Sequence, residues 1–216
     1  MSGQVRAVFW DFGGVISSSP FDAFKEYEAA RGLPENFIRT VNSHNPDDNA
    51  WAKLERTDVD VPTFCRLFEE ESTALGHTVP GEDVLALLSG TVRPEMVRAL
   101  ECLKPHFKLA CLTNNVLKGE GPGMASNAGK AAQISKIMTL FDAIVESSKV
   151  GVRKPEPRFY EMACEAVEVA PTEVVFLDDL GINLKPARAM GMRTIKVTSA
   201  SQALDDLESA VGMSLR

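Results

Sequence analysis

The sequence predicts an α/β fold: a parallel sheet with helices on both faces and a long helical insert after the first strand. Two observations carry this. Short apolar runs alternate with amphipathic helical patterns along most of the chain, the pattern of strand–helix–strand units. The interval between the first two strands is almost a hundred residues, far more than one crossover helix needs, and it carries helical patterns with few strand signals.

The strands are expected at residues 5–10, 108–112, 143–145, 174–177 and 194–197, each rich in Val, Ile, Phe or Leu. Helical patterns fall at 94–103, 157–168, 184–190 and 202–211, and within the insert at 20–31, 51–55, 61–74 and 81–89. The expected division is therefore a core of residues 1–18 and 90–216 with an α-helical cap at 19–89, hinged near 16–19 and 89–93. The segment KGEGPGMASNAGK at 118–130 has the glycines of a phosphate loop but the wrong spacing, and Ala131 stands where a magnesium-binding hydroxyl is required. It reads as a surface loop.

Composition narrows the function classes. The chain has 216 residues, 44% apolar and 25% charged, with a formal net charge of -7, which argues against nucleic acid or an anionic membrane as partner. No stretch approaches the about 18 apolar residues that span a bilayer. The first apolar run is interrupted by Arg6 and stopped by Asp11, too short and badly flanked for a signal peptide. The four cysteines, Cys65, Cys102, Cys111 and Cys164, lie far apart in apolar contexts and read as buried free thiols. A cytoplasmic location is the expectation. Oligomeric state has no signal in the sequence.

The strand tips carry the chemistry. The first strand ends on Asp11, followed by Phe12, Gly13 and Gly14; the second on Thr113, Asn114 and Asn115; the fourth on Asp178 and Asp179. Lys154 follows the third strand, between Arg153 and Pro155. Taken singly, Asp11 reads as a turn former, Lys154 as a surface lysine and the acidic pair as a helix cap. At the carboxyl ends of neighbouring parallel strands they converge on one site.

Three carboxylates within a few ångströms repel by about 4 kcal/mol per pair even at an effective dielectric of 20. Oxygen ligands without a nearby His or Cys suit Mg²⁺, completed by a substrate phosphate. Lys154, the Thr113 hydroxyl and the amides of Asn114 and Asn115 could hold phosphoryl oxygens, and Asp11 would be placed to attack phosphorus. His44, in SHNPDDNAW, reads as a solvated loop residue with the 44–51 segment facing the pocket; His77 and His106 read as structural or exposed.

These residues resemble the haloacid dehalogenase-like hydrolases. Asp11 matches that family's nucleophile motif, Thr113 the second motif, Lys154 the third and Asp178-Asp179 the acidic fourth. The stretch 141–188, with KPEP, EVVFLDDLG and NLKPAR, is similar to the N-terminal phosphatase-like domain of soluble epoxide hydrolase and to the domain fused to some acyl-CoA dehydrogenases. The resemblance implies a Rossmann-like core with an α-helical cap, a Mg²⁺ held by Asp11, the Gly13 carbonyl, Asp178 and Asp179, and a small phosphorylated substrate. It does not imply epoxide hydrolysis, which belongs to a separate domain.

One position departs from the pattern. Family phosphatases carry an aspartate two residues after the nucleophile, as acid for the leaving group and then base for water; here Gly13 stands there. Such help is worth ~10²–10⁴-fold. Two other readings therefore remain open: a dehalogenase, whose halide needs no general acid, and a catalytically weak binding or regulatory protein. The Asp178-Asp179 pair speaks against the first, because the dehalogenases work without metal.

Overall fold

The computed structural model describes residues 4–115 and 128–216. Among them, five parallel strands form one sheet: β1 (Ala7–Trp10), β2 (Lys108–Thr113), β3 (Ala143–Glu146), β4 (Val174–Asp178) and β5 (Arg193–Lys196), in the order β3-β2-β1-β4-β5. β1 is central and pairs with β2 on one side and β4 on the other. The strand order reverses at β1, so a crevice opens beyond its carboxyl end.

Period-two alternation makes both faces apolar. Val8, Trp10, Leu109, Cys111, Val175 and Leu177 face helices α6 (Pro94–Leu103), α7 (Ala128–Met138) and α11 (Ala200–Val211). Ala7, Phe9, Ala110, Leu112 and Phe176 face α9 (Pro157–Val167) and α10 (Gly181–Ala189). Each fully buried Val, Leu or Phe side chain contributes about 1.5–3 kcal/mol.

The interval after β1 is helical as expected: α1 (Pro20–Arg31), α2 (Phe37–Ser43), α3 (Ala50–Glu55), α4 (Val61–Ala74) and α5 (Gly81–Ala86). These helices have their own apolar cluster around Phe24, Ile38, Val41, Leu54, Phe64 and Phe68. The chain leaves and returns along paired backbone: Ser17 bridges Val92, the Ser18 N–H donates to the Thr91 carbonyl at 2.8 Å, and the Arg93 N–H donates to the Ile16 carbonyl at 2.8 Å.

The structure adds α2, α7 and the short α8 (Ser147–Val150) to the expected helices. The loop expected at 118–130 lies mostly outside the described residues, and its last three belong to the first turn of α7. Among the cysteines, Cys111 and Cys164 are buried, but Cys65 is half-buried and Cys102 exposed. The reason for Cys102 is geometric: Met96, Ala99, Leu100 and Leu103 turn to the sheet and leave it on the solvent side of α6. His44, His77 and His106 are exposed, with His77 also packed edge-on against Phe37.

Candidate active site

Asp11 leaves the end of β1 into a turn in which the Ser17 N–H donates to the Phe12 carbonyl at 2.9 Å. The Phe12 N–H donates to Asp11 Oδ1 at 2.7 Å and fixes the carboxylate at the turn's mouth. Gly14 has φ +77, and a Cβ built there would lie 2.2 Å from Asp179 Oδ2. The second glycine is thus required by the close approach of the β4 tip. Gly13 is under no such constraint: a Cβ there meets nothing within 4 Å.

Asp11, Asp178 and Asp179 each offer an oxygen within 4.8 Å of the others. Lys154, 1% exposed, enters this cluster from the loop after α8, with Nζ 2.9 Å from Asp11 Oδ1 and 2.8 Å from Asp178 Oδ2. Asp178 is fully buried and otherwise satisfied: the Leu180 N–H donates to Oδ1 at 2.7 Å, and Asn183 Nδ2 lies 3.0–3.1 Å from both oxygens. Asp179 sits nearer the opening and accepts a hydrogen bond from Ser19 Oγ at 3.0 Å.

The electrostatics follow from this packing. Burial pushes the Asp11 carboxyl well above its usual range; Lys154 opposes that, while Asp178 and Asp179 reinforce it. Burial and the neighbouring Asp178 push Asp179 up to about 6. Burial alone would lower the Lys154 ammonium, but Asp11 and Asp178 hold it above the ordinary lysine range. Three carboxylates facing one ammonium leave an excess of negative charge among oxygen donors, which fits a hard divalent cation.

The other strand-end residues have partners of their own. Thr113 ends β2, almost wholly buried. Asn114 clasps the Lys154 peptide, its Nδ2 donating to the Lys154 carbonyl and its Oδ1 accepting from the Lys154 N–H, both at 2.9 Å. The Asn115 side chain turns to Glu146 and Ser148, at 2.9 and 2.8 Å, so its amide braces the β3 end.

A protein-family model for haloacid dehalogenase-like hydrolases matches residues 5–191, a span that takes in every one of these strand tips. The chain belongs to the haloacid dehalogenase-like hydrolases. It is 31% identical over 219 residues to mouse bifunctional epoxide hydrolase 2, covering 96% of this chain but only 39% of that protein. It is 30% identical over 211 residues to the phosphatase MT3486 of Mycobacterium tuberculosis, covering 94% of this hydrolase and 91% of that one. A haloacid dehalogenase family enzyme of Bacteroides thetaiotaomicron, solved with magnesium and inorganic phosphate, shares the fold at a TM-score of 0.57 and 18% identity, covering 89% and 93% of the two chains.

In this hydrolase the structure brings together Asp11, Lys154, Asp178 and Asp179, and adds residues that sequence reasoning missed. Ser19 and Asn183 orient the acidic pair. Glu55, at the end of α3, brings a buried carboxylate from the insert to the strand ends, with Oε2 3.4 Å from Asn114 Nδ2 and 2.6 Å from Arg153 Nε. Burial pushes this carboxyl up and Arg153 opposes. Nothing in the local sequence marks Glu55, because it meets Asn114 only through the packing of the insert. The 44–51 segment reaches the core through the Pro46 carbonyl, which accepts from Arg153 Nη1 at 3.0 Å.

Proposed function

We propose that this hydrolase is a Mg²⁺-dependent phosphatase acting on a small phosphorylated metabolite through a phosphoryl group carried on Asp11. The observation that carries the reading is the pairing of Asp11, at the central strand tip, with a buried Lys154 and an acidic cluster open on the Asp179 side. The mycobacterial relative's name as a phosphatase, and the magnesium and phosphate bound by the Bacteroides enzyme of the same fold, support it.

In this reading Asp11 Oδ1 is held by Phe12 N–H and Lys154, and Oδ2 attacks phosphorus. The P–O bond to the leaving group breaks as the Asp11–phosphorus bond forms, and water then attacks phosphorus to release phosphate and restore the carboxylate. Lys154 and the Thr113 hydroxyl offset charge on the phosphoryl oxygens. Asp11, the Gly13 carbonyl and Asp179 would hold Mg²⁺, with Asp178 behind them fixed by Lys154 and Asn183. The ion supplies charge neutralisation and alignment of the phosphoryl group. The helices of 20–88 act as the cap that excludes water and selects substrate.

A screen of phosphorylated metabolites with and without Mg²⁺, with Asp11→Asn as control, tests this. Metal-dependent phosphate release that vanishes in Asp11→Asn is expected. Folded protein with no release from any ester in either condition would favour the binding or regulatory reading, which rests on Gly13.

A further inference from the structure

Glu55 is one of several contacts that seat the α3 end on the core. Thr57 Oγ1 donates to the Ser148 carbonyl at 3.0 Å, and Arg56 Nη1 lies 3.6 Å from Glu156 Oε1. α3 itself is set by Asn49, whose Oδ1 accepts from the Ala52 N–H at 2.8 Å while its Nδ2 donates to the Asn42 and His44 carbonyls. The Glu55 side chain is only 7% exposed. A carboxylate so buried is more costly than an apolar side chain of similar size unless its partners compensate. Here the partners are Arg153, Asn114 and the Trp51 side chain of α3 itself; Arg153 directly precedes Lys154, and Asn114 holds the Lys154 peptide.

From Asn114 the contacts run on without a gap. Its amide grips both polar groups of the Lys154 peptide, and Lys154 Nζ grips Asp11 and Asp178. We propose that Glu55 is a positioning residue: the seating of α3 orients Asn114 and Arg153, which fix the Lys154 peptide and so aim the ammonium at Asp11. A helix of the insert thereby aligns the nucleophile with its cation, and the two are aligned only when the insert is seated. The proposal rests on the phosphatase reading above in giving Asp11 and Lys154 their roles.

The experiment has two arms, on the full chain and on the variants Glu55→Gln and Glu55→Ala, with folding checked by circular dichroism. The first arm needs no turnover: hydrogen exchange at the Lys154 amide, which donates to Asn114 Oδ1. The second measures kcat and KM on a series of aryl and alkyl phosphates with Mg²⁺. Glu55→Ala should speed exchange at Lys154 and lower kcat by about 10–100-fold, the effect of small misplacements at a reacting centre. KM should change little, and aryl and alkyl esters should lose equally. Glu55→Gln keeps an oxygen for Asn114 and should fall between.

Unchanged exchange at Lys154 in folded Glu55→Ala would overturn the proposal, as would faster exchange with kcat intact. A loss confined to alkyl esters would also overturn it, since Glu55 would then be donating the proton itself. A wild-type protein without activity on any ester would defeat the phosphatase reading, while the exchange arm still decides whether Glu55 positions Lys154.

Discussion

Lys154 Nζ lies 2.9 Å from Asp11 Oδ1, and both side chains are withdrawn from solvent. Removing the cation would leave Asp11 and Asp178 as uncompensated neighbours. Breaking one partner out of a buried pair costs about 3–5 kcal/mol. Lys154→Met should therefore lower the melting temperature on the order of 10 °C for a domain of this size and remove turnover. A melting temperature equal to wild type would mean that the pair is not formed in solution.

The two glycines of the β1 turn should respond differently. Gly14→Ala forces a non-glycine residue to φ +77 and drives its Cβ into the Asp179 carboxylate; the left-handed backbone alone costs about 1–2 kcal/mol. Gly13→Ala has open space and φ -69. Thermal melts should show destabilisation, and a weakened Mg²⁺-induced rise, for the first substitution only. Equal behaviour of the two would contradict the packing of Asp179 on Gly14.

The open space at Gly13 also makes the missing acid restorable. Under the proposed phosphatase reading, wild-type rates should depend steeply on leaving-group acidity, because Gly13 offers the leaving oxygen no proton. Gly13→Asp should help alkyl phosphates most, by up to ~10²–10⁴-fold. A flat dependence in wild type would show that another residue supplies the proton.

Acid stability should depend on Asp142. Burial pushes its carboxyl up, but the Leu109 N–H at 2.8 Å, Lys104 and Lys108 outweigh that and hold it below its ordinary value of 3.8. A carboxyl lowered on folding stabilises the protein above the unfolded pKa and stops doing so as pH falls through the folded one. The stability lost in Asp142→Asn should thus be largest near neutral pH and shrink in acid. Urea unfolding at both ends of this range checks it; a difference independent of pH would mean that the ionised Asp142 carboxylate does not stabilise the fold. The contact bears on the site because it sets the start of β2, the strand that carries Thr113 to Asn115.

Much of this arrangement was legible in the sequence, because apolar strands that stop on Asp11, Thr113 and Asp178 state where the sheet ends. Helices opened by proline, at Pro20, Pro94 and Pro157, were legible for the same local reason. α2 was not, since it starts from Asn36 at φ 61 with no side-chain cap, and α7 was not, since glycines precede it. The roles of Ser19, Glu55 and Asn183 depend on contacts made across the fold. Glu55 and Asn114, 59 residues apart, are joined only by the packing of the insert onto the sheet.

The proposed phosphoryl group on Asp11 can be trapped by a rapid acid quench. Under the proposed mechanism, Gly13 offers no carboxylate as base for the second step, so the intermediate should accumulate. Wild-type protein turning over an aryl phosphate with Mg²⁺ is quenched, digested and mapped by mass spectrometry. Phosphate is expected on the peptide that contains Asp11, and its loss is expected in Asp11→Asn. Steady phosphate release with that peptide unmodified at every quench time, and undiminished in Asp11→Asn, would contradict the Asp11 intermediate.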